Sequence, residues 1–123
     1  MEDEQRASYD LEDRLLDYGA RIITLTRSLG PDYAARHIGN QLLRSGTAPL
    51  SHHGEAQSAE SPADFIHKLR LALKEFRESQ RWLKLIIRSG ILPDQKLAPL
   101  LDETDQLIRI FVTSINTAEK RRK

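Results

Sequence analysis

Apolar residues recur between Ser61 and Gly90 at alternating spacings of three and four, which places them on one side of an α-helix. The stripe comprises Ile66, Leu69, Leu73, Phe76, Leu83 and Ile87, with polar Gln80 as its one gap. Ser61 can cap the N-terminus, Pro62 suits the first turn, and Gly90 supplies a left-handed stop. The pattern predicts one long helix whose apolar side packs into a bundle core.

Two further segments carry the same kind of seam. The first begins at about Tyr9 and ends at Gly30-Pro31, and its apolar positions are Leu11, Leu15, Tyr18, Ile22, Leu25 and Leu29. The other follows Asp94, with its regular part expected to begin closer to Ala98 because Pro99 is tolerated only in the first turns. Its seam is Leu97, Leu101, Thr104, Ile108, Phe111, Ile115 and Ala118. Both seams predict helices.

The segment between the first and third helices has a weaker pattern. Ala35, Ile38, Leu42 and Ser45 predict a second helix after Pro31. Pro49 falls on the extension of this seam, where it removes one backbone hydrogen bond. Two outcomes are open. Either the helix ends near Gly46 and a loop with a short helical piece follows, or one helix with a kink near residues 45–49 runs to about Ala59.

Four amphipathic helices with short first and last connections predict an all-α, up-down-up-down antiparallel four-helix bundle. The predicted domain organisation is a flexible acidic N-terminus at residues 1–8, one bundle domain at 9–118, and a basic C-terminal tail at 119–123. We find no internal repeat and no low-complexity segment.

Composition narrows the class of protein further. The 123 residues contain no cysteine, which excludes disulfides and thiolate chemistry, and the formal net charge is +1. The N-terminal residues are acidic and show no secretory or transit signal, and no run approaches the roughly 18 apolar residues of a membrane span. We therefore expect a cytoplasmic protein that has no membrane partner.

The histidines do not form a recognisable metal motif. His52, His53 and Glu55 are close in sequence, but adjacent residues of a helix point about 100° apart. A di-iron bundle also requires Glu-x-x-His motifs on two helices, which are absent here. No serine, histidine or carboxylate motif indicates a nucleophile with its base. The sequence predicts no catalytic residue, no cofactor and no metal, and hence a protein that is not an enzyme.

Two surfaces of the third helix are candidates for binding. Leu71, Trp82 and Leu85 fall on roughly the opposite side from its apolar stripe and are predicted to make subunit contacts, because buried aromatic residues are typical of interface centres. Basic residues also run along this helix, where the simplest interpretation is a solvated face with pairs such as Lys74 with Glu78. The alternative is contact with nucleic-acid phosphate, through Lys74, Arg77, Arg81, Lys84 and Arg88.

Several stretches of the chain, taken together, resemble a bacterial family of four-helix-bundle proteins. They are QLLRSGT at 41–47, Glu55-Ala56, DFIHKL at 64–69, ALKE at 72–75, Trp82-Leu83, and the ending from Ile110 to Ala118. The resemblance is to the 23S ribosomal RNA intervening-sequence, or S23-type, proteins. It implies a ring-like homopentamer and similarity to the accessory protein of diversity-generating retroelements, which binds nucleic acid and a reverse transcriptase.

The chain departs from that family after Thr47. The family continues with a Ser-hydrophobic-Gly-Ala-Asn-aromatic run, whereas this chain has Pro49 within the segment and His52 in place of the usual asparagine. A role of that asparagine therefore does not transfer. Two hypotheses follow. The first is a non-enzymatic homo-oligomeric scaffold or interaction protein. The second is an accessory protein that binds RNA or DNA through basic residues on the assembled ring, with a reverse-transcriptase-type partner.

Overall fold

The computed structural model describes the backbone of residues 2–122 and the side-chain surroundings from Asp10 to Arg122. This part of the chain forms four α-helices and no strand. The helices are α1 (Glu2–Arg27), α2 (Tyr33–Gln57), α3 (Pro62–Arg88) and α4 (Asp94–Arg122). The predicted all-α fold with four helices is confirmed. None of these helices combines the length and the apolar composition that crossing a lipid bilayer requires.

Short connections place consecutive helices side by side and antiparallel. Gly30 and Gly90 both adopt positive φ, at 100° and 77°, as expected of glycines that stop a helix. Ser61 caps α3 as predicted, because its hydroxyl accepts a hydrogen bond from the Asp64 amide at 3.1 Å. Contacts are extensive along α1–α2, α2–α3 and α3–α4 but sparse between α1 and α4. Among the described residues, the backbones of α1 and α4 are therefore the most widely spaced of the neighbouring helices.

Of the two outcomes left open for α2, the structure adopts the single helix. The helix extends through Pro49 to Gln57, close to the predicted end at Ala59, and Pro49 is buried. The Asp32 carboxylate caps its N-terminus by accepting from the Ala35 amide at 2.9 Å. Pro49 lies on the core side of α2, as the extension of the seam indicated, so tertiary packing has kept a proline within the helix despite its missing donor.

The predicted seam of α1 is buried except at Leu11 and Leu25, which are partly buried, whereas the seams of α3 and α4 need correction. Leu73 and Ile87 were expected in the α3 stripe, with Gln80 as its polar gap, and all three are only partly buried. The fully buried positions of α3 are Ile66, Leu69, Ala72, Phe76, Ser79, Leu83 and Ile86. In α4 the structure buries Leu100 and Leu107, whereas the predicted Leu101 and Ile108 pack at the edge of the core.

Small and polar residues explain this shift in α3. Ala72 and Ser79 are completely buried, and the Ser79 hydroxyl lies 2.8 Å from the Ser45 hydroxyl of α2. A small residue at the centre of a seam lets two helices approach closely, while larger neighbours such as Leu73 fill the flank. The core centre of α3 therefore follows shape and hydrogen bonding rather than maximal hydrophobicity.

A second buried hydrogen bond links α1 to α4. The Tyr18 hydroxyl lies 2.7 Å from the Thr104 hydroxyl, which also donates to the Leu100 carbonyl at 2.7 Å. Burial raises the pKa of Tyr18 to about 12, so this phenol stays protonated at neutral pH. The Tyr18 ring meets Phe76 edge to face at 5.4 Å, and Phe76 meets Phe111 at 5.2 Å. Aromatic packing and two buried hydroxyl pairs thus fix the middle of the bundle.

The ends of the outer helices differ from the predicted bounds. The backbone of α1 begins at Glu2 rather than near Tyr9, although the side chains of residues 1–9 lie outside the described part. Helix α4 begins at Asp94 rather than near Ala98 and continues through Arg122, so most of the basic tail is helical. Lys123 is not described. The division into a flexible 1–8, a 9–118 domain and a 119–123 tail stays a prediction.

Candidate nucleic-acid interface

The five basic residues singled out on α3 share one solvent-exposed side of the helix. Lys74, Arg77, Arg81, Lys84 and Arg88 are all exposed. Their spacings of three and four residues align them along the helix, opposite the buried positions Ala72, Ser79 and Ile86. We call these five residues the α3 basic stripe. With a rise of 1.5 Å per residue, the stripe extends over about 21 Å.

Within residues 10–122, no carboxylate forms an ion pair with the basic stripe. The expected pair of Lys74 with Glu78 does not form. Glu78 instead accepts hydrogen bonds from Arg44 of α2 and from the Trp82 indole, the latter at 3.1 Å. Glu75 also turns towards α2, where it pairs with Arg44 at 2.9 Å. The two acidic residues of mid-α3 are thus held against α2, which leaves the stripe cationic.

The first two basic residues of α3 are different, because each is paired. Lys68 binds Glu55 of α2 at 2.9 Å, and Arg70 binds Glu119 of α4 at 2.6 Å. The pair raises the pKa of Lys68 and lowers that of Glu55, chiefly through their hydrogen bond. A shallow groove of about 540 Å³ begins beside Arg70 and continues along the stripe to Arg81. The unpaired charge therefore starts at Lys74.

The three residues predicted at a subunit interface are not equivalent. Leu85 is exposed, Leu71 is partly buried, and Trp82 is partly buried by its own chain. The Trp82 ring meets His37 of α2 edge to face at 6.2 Å, so it lies on the α2 flank of α3 rather than on the outward side. Their role in assembly stays a prediction.

Other apolar side chains are exposed on α1 and α2, where the sequence predicted no binding surface. Leu16 and Ile23 of α1 and Leu43 of α2 are each more than a third exposed. Leu16 and Ile23 are seven residues apart, which puts them on the same side of α1. Each is adjacent in sequence to a buried seam residue, Leu15 or Ile22. A single exposed apolar residue next to such a seam gives no separate signal in the sequence.

The two adjacent histidines occupy different environments. His52 is partly exposed, with Nδ1 3.6 Å from the Glu55 carboxylate. His53 is buried and lies edge to face with Phe111 at 6.1 Å, and burial lowers its pKa. No group of three potential metal-binding side chains occurs in the described part of the chain. The placement of His53 agrees with a structural role.

The chain is similar to known proteins both in sequence and in fold. Residues 12–113 match the sequence profile of the family described as 23S rRNA-intervening sequence protein. A search among curated proteins gives no significant match. The fold is similar to the 1.70 Å crystal structure of a protein of unknown function from the S23 ribosomal protein family of Bacteroides thetaiotaomicron VPI-5482. That comparison has a TM-score of 0.83 and 30% sequence identity, and it covers 89% of this chain and 97% of the other.

The family profile covers most of the chain and the similar structure has the same fold, which agrees with the resemblance identified from the stretches around Arg44, Glu55 and Trp82. The related structure itself has no assigned function. We conclude that this chain belongs to the 23S rRNA-intervening sequence protein family, also called the S23 family.

Proposed function

We propose that this protein is a non-enzymatic helical-bundle protein that binds the phosphate backbone of nucleic acid through the α3 basic stripe. The observation that carries the proposal is the segregation of charge on α3. Five exposed cations occupy its outer side without a carboxylate partner in the described residues, while Arg44 and Trp82 hold the intervening Glu78 against α2. A formal net charge of +1 is therefore a poor guide to the local field.

The dimensions of the stripe suit a polyanion. One stacked strand carries a phosphate for about every 3.4 Å of rise along its axis, so a stripe of about 21 Å corresponds to the axial length of roughly six phosphates. Arg77, Arg81 and Arg88 can each donate two parallel hydrogen bonds to a phosphate, whereas Lys74 and Lys84 act as flexible point charges. Such contacts carry little sequence information, so the proposed binding depends on the backbone rather than on bases.

Fluorescence anisotropy of labelled single-stranded RNA tests this function directly, and RNA is the first choice because the family name refers to 23S rRNA. We expect binding at low salt with a slope of log K against log [salt] of about −3 to −4, since five phosphate contacts each release about 0.7 of a counterion. Duplex DNA provides the comparison. Absence of binding at low salt to either nucleic acid would rule out the proposal.

The second candidate function is a homo-oligomeric scaffold, and the exposed apolar residues favour it. Leu16, Ile23, Leu43 and Leu85 present apolar surface that a second copy of the chain can bury. A ring would repeat the basic stripe on each subunit, so that weak phosphate contacts would act together on one strand. The two functions are compatible.

Light-scattering mass measurement at micromolar concentration tests the scaffold. We expect an oligomer, with the pentamer implied by family resemblance as the specific prediction. A Leu16→Asp, Ile23→Asp double variant should lower the mass, because it places charges in an apolar contact. A wild-type monomer under these conditions contradicts this candidate while leaving the phosphate-binding proposal untouched.

A further inference from the structure

Arg44 of α2 contacts both acidic residues in the middle of α3. Its guanidinium pairs with Glu75 at 2.9 Å and also with Glu78, each through a different terminal nitrogen. A third contact joins it to the side chain of Gln41 on its own helix at 3.4 Å. Although the Arg44 side chain is half exposed, both of its terminal nitrogens are thus directed at protein groups rather than at solvent.

The two carboxylates that Arg44 holds are close neighbours. Glu75 and Glu78 are three residues apart on α3, and like charges at this spacing repel each other. A guanidinium shared by both offsets that repulsion, because it donates to each carboxylate separately. The Trp82 indole adds a hydrogen bond to Glu78 at 3.1 Å, but this donor carries no charge. Loss of the Arg44 charge would therefore leave two adjacent anions and one neutral hydrogen bond.

Only one of these carboxylates can turn towards the basic stripe. Glu78 has Lys74 four residues before it and Arg81 three residues after it, which are the spacings at which side chains of a helix pair. The residues three and four positions from Glu75 include no cation. Glu78 is therefore the carboxylate that would neutralise part of the stripe if Arg44 did not hold it.

We propose that Arg44 is a positioning residue for the α3 basic stripe. By holding Glu78 against α2, it keeps Lys74 and Arg81 available to an anionic ligand, and it does not bind that ligand itself. For its ligand the inference rests on the proposed function, which it deepens by adding a residue of a different helix. The spacing along α3 alone favours a pair between Glu78 and Lys74, so the charge of the stripe depends on one side chain of α2.

Arg44→Gln tests the proposal in anisotropy titrations with single-stranded RNA. We expect affinity at low salt to fall about fivefold to tenfold, the equivalent of one lost phosphate contact. The slope of log K against log [salt] should change from about −3.5 to about −2.8, because one phosphate contact fewer is made.

Arg36→Gln is the matched control, since it removes the same charge from an exposed position of the same helix. Arg36 forms no ion pair with a described carboxylate. This variant should lose less than about twofold in affinity, because salt screens an exposed charge that is distant from the ligand.

A second substitution separates positioning from simple loss of charge. Adding Glu78→Gln to Arg44→Gln should restore affinity to within about twofold of wild type, whereas Glu78→Gln alone should change it by less than about twofold. Adding Glu75→Gln to Arg44→Gln changes the net charge by the same amount but leaves Glu78 on the stripe. It should therefore leave most of the loss in place. Equal effects of Glu78→Gln with and without Arg44 would overturn the proposal.

The position of Glu78 can also be measured without nucleic acid. Trp82 is the only tryptophan, so one indole N–H signal in the NMR spectrum reports its hydrogen bond to Glu78. In Arg44→Gln this signal should move to its position in Glu78→Ala, and in Arg36→Gln it should stay at the wild-type position. An unchanged signal in Arg44→Gln overturns the proposal. Absence of RNA binding by the wild-type chain is a failure of the proposed function, and the indole signal still decides whether Arg44 positions Glu78.

Discussion

Replacing Arg77, Arg81 and Lys84 together with glutamate is expected to weaken binding to single-stranded RNA by at least about 100-fold at low salt. The change removes three phosphate contacts and puts three negative charges in their place, and each lost charge-assisted hydrogen bond contributes on the order of 1 kcal/mol or more. The slope of log K against log [salt] should also become shallower by about 0.7 for each cation removed, from about −3.5 to about −1.4, because two phosphate contacts remain. Anisotropy titrations at several salt concentrations measure both quantities.

The matched control reverses three exposed cations that lie away from the stripe. Arg27, Arg36 and Lys96 are exposed on other parts of the molecule and form no ion pair with a described carboxylate. A variant with glutamate at these three positions has the same net charge as the stripe variant. It should lose no more than a few-fold in affinity. Equal losses in both variants would show that overall charge, rather than the α3 basic stripe, determines binding.

The sequence predicts that the five cations of the basic stripe lie on one side of α3. It does not predict that they form no ion pair with a described carboxylate. Spacings of three and four put Lys74 to Arg88 on one side of α3 whatever the rest of the bundle does. Whether Glu78 neutralises Lys74 depends on a competing partner 34 residues away in the chain, Arg44, which the structure brings to the same carboxylate. Sequence periodicity contains no information on such long-range pairs.

Which residues of α3 face the core could also be predicted only in part from the sequence. Reading the most hydrophobic residue of each turn as the core centre selected Leu73 and Ile87, and it left Gln80 as an unexplained gap. The structure centres α3 on Ala72, Ser79 and Ile86, because Ser79 has a hydroxyl partner in Ser45. A small polar residue on a seam is recognisable only once its partner helix is known.

The fold of the segment around Pro49 was the least predictable from the sequence, and this segment contains the buried His53. Continuity of α2 through Pro49 puts His53 one turn further along the same buried side, next to Phe111. A loop at this point would have left both histidines without a defined environment. The contact of His53 with Phe111 therefore depends on an alternative that the hydrophobic pattern could not select, and no sequence motif indicated it.

Gly46→Ala is expected to lower the free energy of unfolding by about 1–2 kcal/mol, although alanine is the better helix former. A Cβ atom at position 46 would lie 2.7–2.9 Å from three side-chain atoms of Ile22. Ile22 is completely buried and β-branched, so its atoms near the backbone cannot rotate away and α1 must shift. The cost of this overpacking, roughly 1–3 kcal/mol, exceeds the gain of up to about 1 kcal/mol in helix propensity.

Gly54→Ala in the same helix is expected to change the free energy of unfolding in the opposite direction. Position 54 is exposed and a Cβ there meets nothing within 4 Å, so only helix propensity changes and stability should rise by about 0.5–1 kcal/mol. Urea unfolding of both variants measures the difference in sign. Adding Ile22→Ala to each variant then identifies the cause, because removing the clash should make Gly46→Ala nearly neutral or stabilising in that background. A destabilisation by Gly46→Ala that persists without the Ile22 side chain would show that close packing of α1 on α2 is not the reason for glycine at this position.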